Sequence, residues 1–258
     1  MNSCKTDEEI ELMKLSNQLV TNTLAEVAKS IRPGVTTKCL DSIAEKFIRQ
    51  HGGIPGFLGY GGFPATLCTS VNAQVVHGIP SDLVLNDGDI ISVDCGAILN
   101  GFYGDCAYTF AVGTITEDIQ KLLDVTKECL FLGAAKAVSG NRMGDIGFAV
   151  QEHAEKNGFS VVREMVGHGV GRKLHEKPEV PNYGKRGTGS KLLKNLTICI
   201  EPMINMGVKK IVQERDGWTV RTADHKPSAH FELPVAVKDG VSLFLSSFKD
   251  IEDVLKQK

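Results

Sequence analysis

Apolar residues recur with helical spacing over the first third of the chain. The first such pattern consists of Ile10, Met13, Val20, Leu24, Val27 and Ile31. Thr6 followed by Glu9 has the form of a capping box, and Pro33-Gly34 stops the pattern, which predicts a long opening helix. A second helical pattern covers about Cys39 to Gln50 and ends at Gly52-Gly53.

Strand patterns follow a segment that is rich in glycine and proline. The stretch "GIPGFLGYGGFPATLC", which ends at Cys68, favours an ordered loop that carries aromatic side chains. From Leu85 to Phe110 the pattern is that of β-strands, with Asn100-Gly101 as a hairpin signal. Two more helices are predicted at about 117–138 and 143–156, followed by several short strands to about residue 246.

The order of two helices followed by strands therefore occurs twice. The same 107 positions separate Ala28 from Ala135 and "LNDGDIISVD" at Leu85 from "LLKNLTICIE" at Leu192. Both decapeptides end in a carboxylate, at Asp94 and Glu201. We predict one α+β domain over 1–258, built from duplicated halves of about 1–112 and 113–258 that share a central site.

Composition and charge narrow the function classes. The chain of 258 residues is 42% hydrophobic, which is enough for a large core. Its formal charge of −2 and the lack of a basic run argue against direct nucleic-acid or membrane binding. The opening "MNSCKTDEEIELMKLSNQ" lacks an apolar signal core, and the seven cysteines show no CxxC spacing, so we expect a cytoplasmic protein with reduced thiols.

The hairpin "VDCGAILNGFYGD" places two acids on one face of a sheet. With Asn100-Gly101 at the centre of a two-residue turn, Gly96 lies opposite Asp105. Asp94, two residues before Gly96, then faces the same side, at about 7–8 Å from Asp105 along the diagonal. We expect Gly96 to leave space between the two acids for an ion; the alternative is that both acids are solvated at an exposed hairpin end.

Three further residues have the chemistry of metal ligands. Glu201 ends the alternating strand "NLTICIE", which we expect to be half-buried, and Glu232 precedes the apolar "LPVAV". His168 lies between Gly167 and Gly169, which are expected to let the backbone approach whatever the imidazole binds. Four carboxylates and one imidazole without a thiolate suit two divalent ions, with Mn, Fe, Co and Zn all open. A structural role for the histidine is the alternative.

These residues and their flanks resemble methionine aminopeptidases of type I. The resemblance rests on "VDCGAILNGFYGDCAYTF", "GHGVGRKLHE", "IEPMI" and "DGWTVRTADHKPSAHFE", and it extends from about residue 33 to the end of this last segment. It implies the pita-bread fold, with two pseudo-symmetric halves in which helices cover antiparallel sheet. It also implies removal of methionine from the N-termini of nascent polypeptides.

The resemblance assigns roles to individual residues. Asp105 and Glu232 would bridge two metals, Asp94 would complete one site, and His168 with Glu201 would complete the other. Glu201 would also transfer the proton of the attacking water. The match further implies that His175 donates to the tetrahedral oxyanion and that His77 touches the substrate near its amine or scissile amide.

Other matched positions concern substrate and cation binding. The residues that would line the methionine pocket are Tyr60, Phe63, Cys68 and Trp218. A monovalent-cation site is implied near Asn72, Gln74 and Ser228. Leu174 and Leu233-Pro234 depart from the family pattern, and we expect them to alter the outer wall of the cleft. The resemblance implies a monomer, while ribosome contact and metal identity stay open.

Two rival functions share the fold. An X-Pro aminopeptidase or prolidase would use the same five ligands, but such chains carry an additional N-terminal domain. A non-catalytic binding protein of the same fold should have lost ligands, and all five are present here.

Overall fold

The computed structural model describes residues 4–257, and its first four helices follow the predicted order, while the fifth was not predicted. They are α1 (Asp7–Ser30), α2 (Thr37–Gln50), α3 (Glu117–Ala134), α4 (Met143–Lys156) and α5 (Lys249–Leu255). The predicted capping box is present: Thr6 Oγ1 accepts from the amide of Glu9 at 3.2 Å, and the Glu9 carboxylate accepts from the amide of Thr6 at 3.0 Å. The sequence therefore predicted how α1 begins, whereas α3 ends a turn earlier than expected.

The strands are short except for one hairpin. They are β1 (Ile54–Pro55), β2 (Leu67–Val71), β3 (Gln74–Val76), β4 (Ile90–Leu99), β5 (Phe102–Ala111), β6 (Ser160–Val161), β7 (Gly167–Gly169), β8 (Glu176–Val180), β9 (Thr197–Ile200), β10 (Met203–Asn205), β11 (Ile211–Gln213), β12 (Val220–Thr222), β13 (Ser228–His230), β14 (Leu233–Val237) and β15 (Ser242–Phe244). The predicted loop before Cys68 contains β1 and a single 3₁₀ turn at Tyr60–Gly62.

The β4–β5 hairpin has the predicted register. Leu99 pairs with Phe102, and Gly96 pairs with Asp105. Asn100 and Gly101 both have positive φ, at 54° and 78°, as a two-residue turn of this kind requires. The turn chemistry thus fixes which residues of β4 and β5 share a face.

Within residues 4–257 the strands form four antiparallel sheets. In the first, β4 pairs with β1, β2 and β5; the largest has the order β15-β14-β9-β7-β8. The two smaller sheets have the orders β13-β10-β6 and β11-β12-β3. An isolated bridge between Ala107 and Glu232 joins β5 to the start of β14, so the hairpin and the largest sheet meet at that point.

Helix α1 packs closely on the hairpin. A Cβ added at Gly104 would lie 2.5 Å from the backbone of Ser16, so only glycine permits this approach. The Asn17 side chain accepts a hydrogen bond of 3.0 Å from the amide of Asp105. The helix therefore fixes the strand at the residue that carries a candidate ligand.

Strand β9 differs from its prediction. All four of its residues are buried, so the strand is covered on both faces rather than half-buried. Neighbouring layers explain this: Cys199 packs with Ile10 and Met13 of α1, while Ile198 and Ile200 face the main core. Alternation of Thr and Cys with Ile does not distinguish the two cases, because small polar side chains are tolerated in a core when they are hydrogen-bonded. Among residues 4–257, every helix is too short or too polar to cross a membrane.

Candidate active site

A cleft of about 350 Å³ lies where the hairpin meets the largest sheet. Its volume is within the range of small-molecule sites. The predicted ligand and pocket residues that line it are Tyr60, Phe63, Cys68, His77, Asp94, Asp105, His168, His175, Glu201, Trp218 and Glu232. The fold therefore brings together residues from both halves of the sequence in one cavity.

Asp94 and Asp105 face the cleft from adjacent strands of the hairpin. Asp94 pairs with Ala107, and Asp105 pairs with Gly96, which makes the two acids diagonal neighbours as predicted. Asp105 is only 2% exposed. One side-chain oxygen of each acid is buried without a hydrogen-bond partner among the described residues.

The predicted role of Gly96 is wrong. A Cβ at this position would lie 2.4 Å from the ring of Phe57, so the space above Gly96 is filled by an aromatic side chain and is not left for an ion. Phe57 belongs to the loop before Cys68, and this loop is anchored by a hydrogen bond of 2.8 Å from the Gly56 amide to the Gly96 carbonyl. The glycine thus brings a cleft wall close to the acids.

Glu201 and Glu232 lie at the same end of the β9–β14 ladder. Leu233 pairs with Ile200, so each glutamate is one residue beyond that pair. The amide of Glu232 donates to the Ala107 carbonyl at 2.9 Å, which holds this glutamate against the hairpin. Glu232 is 2% exposed, and one of its carboxylate oxygens has no hydrogen-bond partner in the described part of the chain.

His168 points its Nε2 atom at three carboxylates. Its Nδ1 donates to the Gly169 carbonyl at 3.0 Å, which leaves Nε2 as the lone-pair nitrogen. The Nε2 atom lies 3.5 Å from Glu201, 3.7 Å from Asp105 and 4.0 Å from Glu232. This fixed tautomer is the one that a metal-binding imidazole needs.

The two glycines that flank His168, Gly167 and Gly169, have a different role from the one predicted. A Cβ at Gly167 would lie 2.4 Å from the Cys199 carbonyl, and one at Gly169 would lie 2.6 Å from the Lys177 carbonyl. These contacts are with the neighbouring strands β9 and β8. The glycines therefore allow tight strand packing around His168, not approach of a ligand.

Burial raises the pKa of all four acids. For Asp94, burial raises the pKa to about 7, although a hydrogen bond from the Cys95 amide lowers it. For Asp105, burial and then the charges of Glu232 and Asp94 raise the pKa well above its ordinary value. Burial followed by the other carboxylates likewise raises the pKa of Glu201 and of Glu232. Four acids that repel each other in this way favour either bound protons or a cation.

The imidazoles in the cleft are neutral at pH 7. Burial, with a smaller contribution from His175, lowers the pKa of both His168 and His77 to about 4. Burial also lowers the pKa of His175. The histidines therefore cannot supply the positive charge that the carboxylates lack.

Two further histidines line the cleft. The His175 Nδ1 shares a hydrogen bond of 2.8 Å with the hydroxyl of Tyr60, and its ring lies edge-on to that of His168 at 4.3 Å. His77 follows β3 with a positive φ of 60° and also lines the cleft. Both rings therefore line the same cleft as the acids.

An apolar wall closes the other side of the cleft. Phe57, Phe63, Cys68 and Leu174 form one buried cluster, and Trp218 packs against it, edge-on to Phe63 at 5.2 Å. Leu174 lines the cleft as part of this wall, and its expected effect on substrate tolerance stays a prediction. Leu233-Pro234 lies in β14, buried and paired with β9, and does not line the cleft. The expected effect of this dipeptide on the cleft wall is therefore wrong.

The donor set fits divalent cations. Three carboxylate oxygens, one each from Asp94, Asp105 and Glu232, are buried without a hydrogen-bond partner among residues 4–257, beside the lone-pair nitrogen of His168. Hydrogen bonds normally satisfy such atoms, and oxygens with imidazole nitrogen are ligands of Mn, Fe, Co and Zn. The residues present therefore suit the metal chemistry that the sequence predicted.

Comparison with known proteins places this site in a family. Residues 11–239 match the family model for metallopeptidase family M24. The chain belongs to metallopeptidase family M24. It is 52% identical over 236 residues to a methionine aminopeptidase of Clostridium acetobutylicum, which covers 91% of this chain and 94% of the relative. Membership of M24 implies the use of divalent metal; it does not give the metal's identity or the number of ions.

Solved structures of M24 enzymes share the fold. The crystal structure of methionine aminopeptidase from Rickettsia prowazekii has a TM-score of 0.94 and 39% identity, over 95% of this chain and 99% of that one. This confirms the predicted pita-bread fold. An X-Pro aminopeptidase from Thermotoga maritima has a TM-score of 0.73 at 21% identity and is matched over 62% of its length, a likeness that shows the fold alone.

The residues implied in a monovalent-cation site lie together in this M24 chain, outside the cleft. The amide of Ser228 donates to the Asn72 carbonyl at 3.0 Å, and the Gln74 side chain accepts from the Val71 amide at 2.9 Å. Asn72 has a positive φ of 52°. The three residues are therefore neighbours around one turn, and the cation itself stays a prediction.

Cys199 and His230 lie beside the acids of the M24 site and were not identified from the sequence. Cys199 has its sulfur near Asp105, His168 and Glu232, and burial followed by the nearby carboxylates raises the pKa of its thiol, which keeps it protonated. His230 is 1% exposed and lies near Glu201 and Glu232. The one available signal was position: His230 lies two residues before Glu232, and Cys199 two residues before Glu201.

The stability of the metal-free M24 chain should fall as pH rises. Carboxylates with raised pKa values bind more protons in the folded state than in the unfolded state, so they lower the stability as pH rises. The buried histidines act in the opposite direction only below about pH 6.5, where the unfolded chain protonates them. Unfolding in EDTA should therefore show a Tm that drops by about 5 °C or more from about pH 6.5 to about pH 8.5, measured by circular dichroism.

In Asp94→Asn the Tm should fall less with rising pH than in the wild type, because the variant lacks the carboxyl group whose pKa is about 7. Asp82→Asn, at a side chain that is 88% exposed, is the matched control and should behave as the wild type. If the Tm of the wild type in EDTA rose over this pH range, the conclusion that the carboxylates in the cleft have raised pKa values would be contradicted.

Proposed function

We propose that this chain is a methionine aminopeptidase that removes the N-terminal methionine from nascent proteins and prefers a small second residue. One observation carries the proposal: the five candidate metal ligands converge at one side of the cleft whose other side is an apolar wall. The names of the most similar relatives support the same substrate.

The residues that would hold two divalent ions are the four carboxylates and one imidazole. Asp105 and Glu232 would serve both ions, Asp94 would complete one site, and His168 with Glu201 would complete the other. When bound, such ions activate a water molecule and polarise the scissile carbonyl. Their identity is not decided by the ligand types, since oxygen and imidazole suit Mn, Fe, Co and Zn.

Glu201 is the residue that we assign to proton transfer. Its side chain is 12% exposed, more than that of Glu232 at 3% or Asp105 at 4%, so a water in the cleft has better access to it than to these two carboxylates. Burial and the nearby charges raise the pKa of Glu201, which suits a group that takes a proton from water and gives it to the leaving amine.

His175 and His77 are assigned to the substrate backbone. Donation from the Tyr60 hydroxyl to His175 Nδ1 would leave the proton on Nε2, which could then donate to the developing oxyanion. His77 is neutral, because burial lowers its pKa to about 4, and it can hydrogen-bond near the amine or the scissile amide without repelling an ammonium group.

The apolar wall is assigned to the methionine side chain. Tyr60, Phe63, Cys68 and Trp218 supply aromatic rings and a sulfur, which make favourable contacts with a thioether. Burial and the neighbouring acids raise the pKa of the Cys68 thiol, so it remains an uncharged part of the wall. Leu174 completes this surface with a branched aliphatic group.

We also infer one catalytic domain over 1–258 with related halves of about 1–112 and 113–258. The helix pair α1–α2 is followed by a second pair, α3–α4, and β9 begins 107 positions after β4. Asp94 and Glu201, separated by the same interval, both line the cleft. A monovalent cation near Asn72, Gln74 and Ser228, a cytoplasmic location and a monomeric state belong to this proposal.

The peptidase activity should depend on metal and on the second residue. The purified protein should release methionine from Met-Ala-Ser but not from Met-Lys-Ser, lose this activity with EDTA and regain it with MnCl₂ or CoCl₂. Free methionine can be followed by chromatography. A peptide whose only susceptible bond precedes proline is the control for the X-Pro alternative, and its cleavage at an equal rate would contradict the proposal.

Replacement of Glu201 should abolish turnover without unfolding the protein. Glu201→Gln removes a charged ligand and the proton acceptor, so kcat should fall by at least about 10²–10⁴-fold. Glu152→Gln, at an exposed glutamate outside the cleft, is the matched control. If Glu201→Gln turned over Met-Ala-Ser within a few-fold of the control, Glu201 would not be the proton-transfer group.

A further inference from the structure

The backbone of His230 is fixed at the edge of the acidic cluster. The side chain of Thr109 in β5 donates to the His230 carbonyl at 2.7 Å and accepts from the His230 amide at 2.9 Å. The residue also ends β13, where it pairs with Met203. Its imidazole lines the cleft and is almost completely buried, so its position is set by two neighbouring strands.

The Nε2 atom of His230 faces two glutamates but bonds to neither. It lies 3.9 Å from Glu201 Oε2 and 3.9 Å from Glu232 Oε2, and it has no hydrogen-bond partner among residues 4–257. These separations are too long for a hydrogen bond. They fit two atoms on one ion, since ligands at about 2.1 Å from a metal can be up to about 4 Å apart.

The two glutamates present their other oxygens to a second imidazole. Glu201 Oε1 and Glu232 Oε1 lie 3.5 and 4.0 Å from His168 Nε2. The glutamate pair therefore has an imidazole nitrogen on each side. The candidate ligand atoms of Glu201, His230 and Glu232 all lie within 4.8 Å of one another. The same holds for a second group, which consists of Asp105, His168, Cys199 and Glu232.

We propose that His230 is a sixth protein ligand, which binds a divalent ion together with Glu201 and Glu232. This inference rests on the metal centre of the proposed function and extends its ligand set from one imidazole to two. A purely structural histidine would be expected to have a hydrogen bond at a buried nitrogen.

The imidazole count of the metal-loaded protein tests this directly. Wild type, His230→Gln and the exposed control His51→Gln would be stripped of metal and titrated with CoCl₂ alone under nitrogen, by calorimetry. X-ray absorption of the cobalt-loaded proteins would count the bound imidazoles. We expect two imidazoles per protein in wild type and His51→Gln and one in His230→Gln, with the affinity for one ion reduced by at least about 10–100-fold.

Several results would overturn the inference. An X-ray absorption spectrum of the cobalt-loaded wild type that shows only one bound imidazole would overturn it. This result needs no variant, so it holds even if His230→Gln fails to fold. An unchanged spectrum and affinity in His230→Gln would overturn it as well. If the wild type binds cobalt and releases methionine, and His230→Gln has the same cobalt affinity and imidazole count, the inference about His230 fails while the proposed function stands. If wild type binds no cobalt and releases no methionine, the proposed function fails with it.

Discussion

Mutual repulsion among four buried carboxylates is the constraint on which the rest of the site depends. Asp94, Asp105, Glu201 and Glu232 all have raised pKa values, because each is buried and three of them also face other acids. The groups within ion-pair distance of these acids are imidazoles, and those imidazoles are neutral. A buried set of like charges without a cation is costly. The fold is therefore built around a position that a divalent metal stabilises.

The fold brings the four carboxylates together from segments that are distant in sequence. The hairpin supplies Asp94 and Asp105, the β9–β14 ladder supplies the two glutamates, and the Ala107–Glu232 bridge joins them. Close approach depends on glycine at the points where layers meet, as at Gly104 against α1 and Gly167 against β9. The backbone contacts that hold the layers together thus also determine the distances between ligands.

Local features were predictable from the sequence where one short segment decides them. Asn100-Gly101 sets the hairpin register by its own φ preferences, and Thr6 with Glu9 determines how α1 begins. The five ligands could be proposed because their flanking residues resemble a family. The roles of Gly96 and of the glycines beside His168 were wrong, because they depend on Phe57 and on neighbouring strands that are distant in sequence. His230 was also not identified, because its position two residues before Glu232 was the one sequence signal and its contacts with Thr109 and the glutamates depend on distant strands.

The central claim is that these acids form a metal centre, and anomalous diffraction tests it most directly. Crystals grown with MnCl₂ would be measured above and below the manganese absorption edge. The account predicts two anomalous peaks within bonding distance of the carboxylates, with Asp105 and Glu232 in contact with both. Well-ordered side chains in the cleft without anomalous density between them would contradict it.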